Sequence, residues 1–431
     1  NESCYISKHM KYRNTYTVAF LLGVVSVAGA CTDQFDHANE ADKIEKMTIT
    51  VQADVNVAGL PAPEYLKVQL NNYSENLTLE ADMDANGKAE ISGVIPGLYS
   101  ISIDGKTSSE DGSDYYLNGN AVNYPIVSND KPLDISVRAL VAGKLIFKEI
   151  YYSGSRPATG GVYFRDQFYE IYNNTENVIY LDKLYMGHLH PTTATTKLPV
   201  WPEEDGDNYV YAETIWQFPG NGTDYPLKPG ESCILAQAAL NHQQELFNPN
   251  SPVDCSSAEF EFYNGFALTP DQPAVNMNIV YNDGTNELSI PFYLTSVAGA
   301  AYVLFQVPQE VDYQPWIGNK WQTVDLSSKY NTLYARVPVD YILDVVECGT
   351  KQSDLSGKRI PGFLDAGMTW VGGTYVGKSV ARKMIGIRPD GSPIFQDTNN
   401  STQDFEIQDT PQLRRYGVKM PAWNHLLVTG E

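Results

Sequence analysis

The stretch "DANGKAEISGVIPGLYSISI", Asp84 to Ile103, decides the fold class. In Lys88–Val94 and Leu98–Ile103 the apolar residues Ala89, Ile91, Tyr99, Ile101 and Ile103 fall at every second position. A period of two puts them on one face of an extended chain and the polar residues on the other. Asn86-Gly87 and Pro96-Gly97 punctuate the runs with residues that turns favour, Gly for positive φ and Pro for a preset φ. Asn86-Gly87 reads as a type I′ hairpin turn. Asp82, Asp84, Asn86 and Gly87 also begin a D-x-D-x-N-G calcium-loop pattern. An EF-hand needs Glu at its twelfth position, and Gly93 stands there.

Working outward, the same alternation runs through "MTITVQADV", "LKVQLNN", "NLTLEADM" and "LDISVRAL", from Met47 to about Ala139. Short strands and turns at this spacing predict a small β-sandwich. A second unit begins near Gly143 with "GKLIFKEIYYSG", "DQFYEIYNNTENVIYLDKLYMG" and "PLKPGESCILA". "VPVDYILDVVEC", "LDAGMTWVGGTYVGKSVARK" and "FQDTNNSTQDFEI" continue it toward the C-terminus. The Asn173-Asn174 turn suits left-handed geometry, because Asn tolerates positive φ. Thr192 to Tyr225 reads as an insert of loops, where binding sites tend to sit. The prediction is an all-β chain of two or more β-sandwich domains.

At the N-terminus, Val18 to Ala30 is an uncharged apolar run of thirteen residues, short of the roughly 20 needed to span a bilayer. Met10, Lys11 and Arg13 supply a basic n-region, and Met10 reads as the start. Ala28-Gly29-Ala30-Cys31 resembles a lipobox, with Ala28 in place of the usual Leu. Cys31 is therefore the expected lipidation site, since two acyl chains at about 0.8 kcal/mol per methylene anchor stably. The acidic tether after it, with Asp33, Asp36, Glu40 and Asp42, is similar to the export signal of surface lipoproteins in Bacteroidota. The expected layout is residues 1–30 upstream sequence and signal peptide, 31–46 tether, 47–140 first sandwich and 141–431 second sandwich.

A net charge of −22 argues against nucleic acid and anionic membrane surfaces. The 29 Tyr, 25 Pro and 33 Gly favour strands and turns over helices. Cys233, Cys255 and Cys348 remain beyond the lipobox, so one disulfide at most is expected. Cys233–Cys255 closes the shortest loop.

Asp84 to Ile103 resembles the prealbumin-like sandwich repeat, and Asp166 to Asn174 with Pro226 to Ala236 resembles a lamin-tail-type Ig-like domain. From about residue 46 onward, the order of pieces resembles a Bacteroidota surface lipoprotein family defined by a domain of unknown function; "DTNNSTQDF" is its most specific piece. That resemblance implies an outer-membrane, cell-surface, lipid-anchored protein whose partner is a TonB-dependent transporter or another surface lipoprotein.

Several residue groups are candidates for chemistry. His188 and His190 lie two apart, so on a strand they share a side and could ligate a transition metal. In "DTNNSTQDF", Asp397, Asn399 and Asp404 offer oxygens for a structural calcium, while Asx and ST turns explain the same residues. Glu203, Glu204, Asp205 and Asp207 beside Trp201, Tyr209, Tyr211 and Trp216 suit a sugar platform or a glycosidase cleft. Arg382, Lys383, Arg388, Arg414, Arg415 and Lys419 concentrate positive charge late in an acidic chain, either for an acidic partner or for the chain's own carboxylates. There is no G-x-S-x-G, H-E-x-x-H or phosphate-loop motif. The expectation is a non-catalytic, cofactor-free accessory or ligand-capture subunit of a nutrient uptake complex, the nutrient being a metal such as iron if the His pair is a metal site. An adhesive protein binding glycan or matrix is the alternative, with a cryptic hydrolase third.

Overall fold

A computed structural model of the chain describes residues 44–55, 59–263, 270–282, 295–315, 318 and 320–424. Cys31, the signal-like run and most of the acidic tether lie outside the described residues. The fold is nearly all β. The first sandwich packs Lys88–Val94, Met47–Asp54 and Leu133–Ser136 as one sheet. A second sheet runs Leu77–Asp82, Tyr65–Asn72, Gly97–Ser108, Asp114–Ile126, Arg138–Val141. The alternating residues meet between them: Val51, Val68, Leu70, Ile91, Tyr99 and Ile103 are all buried.

Two expectations need correction here. Asn86-Gly87 does not close a hairpin, because the strands before and after it belong to different sheets. Only Gly87 has positive φ, at 73°, so the turn is not type I′. Asp84 organises it instead, its Oδ1 accepting from the backbone N–H groups of Asn86 and Lys88 at 2.9 Å each. Pro96-Gly97 likewise carries the chain from one sheet to the other. There the buried Tyr99 hydroxyl donates back to the Ile95 carbonyl at 2.8 Å and pins the corner.

The second sandwich has, among the described residues, a seven-stranded and an eight-stranded sheet. Leu145–Tyr151, Phe168–Asn173 and Ser232–Ala236 lie side by side in the first. Tyr209–Gln217, Tyr185–Leu189, Ala301–Phe305 and Ile342–Gly349 do so in the second. Phe147, Tyr169, Leu235, Trp216, Tyr302 and Val346 meet between the sheets. The outer faces are covered as well. Val210, Ala301 and Trp321 belong to a cluster behind the eight-stranded sheet, and Phe168, Ile234 and Ala236 to one behind the other. Burial on both faces explains the near-continuous apolar runs "LIF", "SCILA" and "AYVLF".

Tyr209–Gln217 corrects the reading of Thr192 to Tyr225 as loops. It is a strand inside the eight-stranded sheet, pairing with Tyr185–Leu189 and Leu333–Pro338. The Asn173 turn also forms without positive φ. Its side chain replaces that device, donating to the Asn177 and Leu227 carbonyls and accepting from the Thr175 N–H.

Polar residues of Asp114–Ile126 fasten the sandwiches together. Asn118 donates to the Thr398 carbonyl at 2.9 Å and Asn123 to the Ser356 carbonyl at 2.8 Å. Arg138 lies 3.8 Å from the centre of the Phe363 ring and pairs with Asp207 at 3.0 Å. Gly362 sits so close to Asn120 that a Cβ there would meet its backbone nitrogen at 2.5 Å.

Candidate aromatic and histidine site

Tyr185–Leu189 and Tyr209–Gln217 pair antiparallel, and the register slips by one residue: His188 faces Thr214 while Leu189 faces Ala212. Glu213 is the extra residue of this bulge. A bulge re-aims a side chain, and this one brings Glu213 to the His pair, 3.4 Å from Nδ1 of His190. Burial alone would raise the Glu213 carboxyl, but the bond to His190 and the charge of both histidines hold it below its ordinary value. His188 is buried, and desolvation with the nearby Arg359 lowers its pKa to about 4.

The aromatic loop meets the same place. Trp201 stacks on Tyr211 with ring centroids 3.8 Å apart, and His190 stacks on Tyr334 at 4.0 Å. Trp201 also meets the Tyr334 ring edge-on at 5.5 Å. Beside them opens a pocket of about 370 Å³ lined by Trp201, Glu203, Asp207, Tyr209, Tyr211 and Arg359. The His pair and the aromatic–acidic loop, two separate candidates in sequence, are one cluster in space.

The charges around it are largely committed. Asp205 is buried and accepts from Arg336 at 2.8 Å and from the Tyr211 hydroxyl at 3.0 Å. The Arg359 Nε donates to buried Glu347 at 2.7 Å. Glu203 and Glu204 are exposed. Trp216 departs from the sequence reading: its ring is fully buried between the sheets, edge-on to Phe262, and takes no part in the pocket.

The metal readings need correction too. Among the described residues no group of three or more His, Cys, Asp or Glu side chains is arranged to hold a metal ion. His190 is engaged by Glu213 and by the Tyr334 face. In "DTNNSTQDF" the cation is a side chain, because the Arg382 Nη1 donates to Asp397 at 3.0 Å and to Asp404 at 3.3 Å. Asn399 points elsewhere, its amide 3.5 Å from the Val141 carbonyl. Asn400 caps the short helix Ser401–Asp404 by accepting from the N–H groups of Thr402 and Gln403. The motif is a structural staple around a buried arginine.

The Cys233–Cys255 pairing is corrected on similar grounds. All three described cysteines are free and buried. Cys233 faces the core between the sheets, whereas Cys255 packs with Ile234 and Ala236 behind the strand that carries Cys233. Successive residues of a strand point to opposite faces, so the two thiols lie on opposite sides of the sheet. The late basic residues serve the chain's own acids and carbonyls: Arg415 pairs with Glu149, Arg414 with Glu259, and Arg388 with the Asn174 carbonyl.

Comparison with known proteins fits this geometry. A crystal structure of a DUF4876 family protein from Bacteroides thetaiotaomicron is 48% identical to the chain. It covers 88% of this chain and 99% of its own, with a TM-score of 0.65. The chain belongs to the DUF4876 family. The family model itself, described as a protein of unknown function, matches residues 228–412. That segment holds the Arg382 staple but neither the His pair nor Trp201. No curated protein matches the chain. The Bacteroidota family resemblance read from the motifs is thus met, and the family name brings no activity with it.

Proposed function

We propose that this DUF4876 protein is a non-catalytic, surface-exposed lipoprotein that captures a ligand for a TonB-dependent transporter in the same outer membrane. The observation that carries the reading is the Trp201 pocket, an aromatic recess formed where the Trp201 loop meets the strand Tyr209–Gln217. The Asp205 and Asp207 carboxylates nearby are bound to Arg336 and Arg138, which suits fixing a ligand better than transferring protons. Acylation of Cys31 would hold the protein beside its transporter, and a shared membrane raises effective concentration so that weak contacts suffice. The stacked aromatics also favour a second reading, adhesion to host glycan or matrix. Affinity purification of the lipidated protein from its native membrane separates the two. Recovery of an outer-membrane barrel is the expected result, and its absence would sink the uptake reading.

A further inference from the structure

A larger recess lies between the two sandwiches. The outward side of Tyr65–Asn72 presents Tyr65, Lys67, Gln69 and Asn71, because Leu66, Val68 and Leu70 turn inward. Their neighbours across the strand pair are Asp104 opposite Lys67, Ser102 opposite Gln69 and Ser100 opposite Asn71. A polar sheet face of this kind normally meets water. Here Trp370, Met368 and Gln352 of the second sandwich stand across from it and enclose about 530 Å³. A second space of about 420 Å³ shares Tyr73 with the first and is lined by Ser100, Asn123, Thr195 and Ser353. Both fall within the roughly 300–1,000 Å³ of small-ligand sites, which favour domain junctions. The sandwiches are clamped around this groove by Asn118, Asn123 and Arg138, so its walls are fixed relative to one another.

The lining leaves hydrogen-bonding capacity open. Among the described residues, no partner engages the Trp370 indole N–H, the Tyr65 and Tyr73 hydroxyls or the Gln352 amide. Gln69 spends its oxygen on Asn71 and keeps its N–H₂ group. Asp104 lines the groove together with Gln403, and burial raises its carboxyl above the ordinary value. Among the described residues the one cation on the floor, Lys67, leans toward Asp82 at 3.8 Å. Asp104 and Glu80 make the floor acidic, in a chain of net charge −22. That balance repels phosphates, nucleic acids and acidic sugars.

We propose that the groove between the sandwiches binds a neutral oligosaccharide. Tyr65, Tyr73 and Trp370 offer aromatic faces whose negative π-density suits the weakly positive C–H faces of pyranose rings. The Gln69 and Gln352 amides donate to, and the Asp104 carboxylate accepts from, sugar hydroxyls. The site is separate from the Trp201 pocket and does not depend on the lipid anchor or a transporter.

The test is an array of neutral and acidic oligosaccharides, with lysine-rich peptides as a further arm, probed with the full soluble chain. Calorimetry on the best neutral probe follows, for wild type and for the Trp370→Ala, Tyr73→Ala, Gln352→Ala and Trp201→Ala variants. The expected result is binding to a neutral oligosaccharide, weakened at least tenfold by Trp370→Ala and Tyr73→Ala and several-fold by Gln352→Ala, each more than by Trp201→Ala. Gln352 is exposed on a short helical turn, so its variant folds even if Trp370→Ala does not. Failure of every neutral probe, preference for acidic sugars or lysine-rich peptides, or wild-type affinity in the groove variants would each overturn the proposal. Loss with Trp201→Ala alone would move the sugar site to the other pocket and also overturn it.

Discussion

One nitrogen of Arg382, Nη2, donates to both carboxylate oxygens of Asp344 at 2.9 Å, and both side chains are almost wholly buried. Nε of the same guanidinium donates to the Phe147 carbonyl at 2.8 Å, while Nη1 serves Asp397, Asp404 and the Gln396 carbonyl. Arg382 thus joins Ser379–Arg382, Leu145–Tyr151, Ile342–Gly349 and the "DTNNSTQDF" segment at one point. Removing one partner of a buried ion pair strands the others, at a cost of about 3–5 kcal/mol. Arg382→Met is expected to destabilise the chain by at least that much in urea unfolding. Arg382→Lys should recover little of the loss, since an ammonium cannot reproduce the guanidinium's spread of donors. A near-neutral Arg382→Met would show that the staple is dispensable.

Calcium has no role at that site if Arg382 fills it. A ligand that binds only the folded chain raises stability by RT ln(1 + [L]/Kd). Millimolar calcium and EDTA should therefore leave Tm unchanged in differential scanning calorimetry. A rise of several degrees with calcium, reversed by EDTA, would contradict the assignment.

The same cluster sets a pH dependence. Burial pushes Asp344 up to about 7 against the attraction of Arg382, and pushes Asp404 up to about 6. A carboxyl raised in the folded state holds a proton that the unfolded chain has already lost between about pH 4 and pH 7. Its contribution is therefore present at low pH and is lost as pH rises through the folded value. His188 and His242, both lowered to about 4 by burial, act oppositely and lose stability as pH falls below about 6. The two effects offset each other between about pH 4 and 6, so stability should peak between about pH 6 and 7 and fall by on the order of 1 kcal/mol toward pH 8. Asp344→Asn should flatten the alkaline limb in urea melts at pH 5 to 8; an unchanged slope would contradict this origin.

Gly362 permits the close approach of the two sandwiches. A side chain there meets the Asn120 side chain and its backbone nitrogen, in a strand paired through Asn120 with Ser102. Gly362→Val is expected to open the junction and expose Val141 to Gly143 to limited proteolysis, while each sandwich keeps its β-rich far-UV spectrum. Wild-type protease resistance would mean that the junction does not rely on this contact.

What the sequence disclosed follows from where the causes lie. Strands such as Lys88–Val94 were legible because alternation reports one buried face, and the folded chain buries Ala89, Ile91 and Val94 there. Asp114–Ile126, the longest strand of the first sandwich, was missed. Its Asn118 and Asn123 look like turn residues, but they are polar because they bond across to the second sandwich. Tyr209–Gln217 was hidden among Pro, Gly and acidic neighbours. Glu213 could not be linked to His190, because a bulge and a neighbouring strand make that contact. The aromatic–acidic loop was legible as a candidate, yet its buried member Trp216 was indistinguishable from Trp201 by type alone. Asp397 and Asp404 were visible as oxygen donors in "DTNNSTQDF", whereas Asp344 was not, and only the fold shows the cation that all three share.

The pocket carries the ligand-capture reading, while the protein's place at the outer membrane depends on the tether, which the mass of the mature N-terminus tests most directly. Protein isolated from its native membrane should begin at Cys31, carry a diacylglyceryl group on the thiol and lack Met10 to Ala30. An unmodified Cys31, or a retained leader, would contradict a capture protein anchored at the outer membrane.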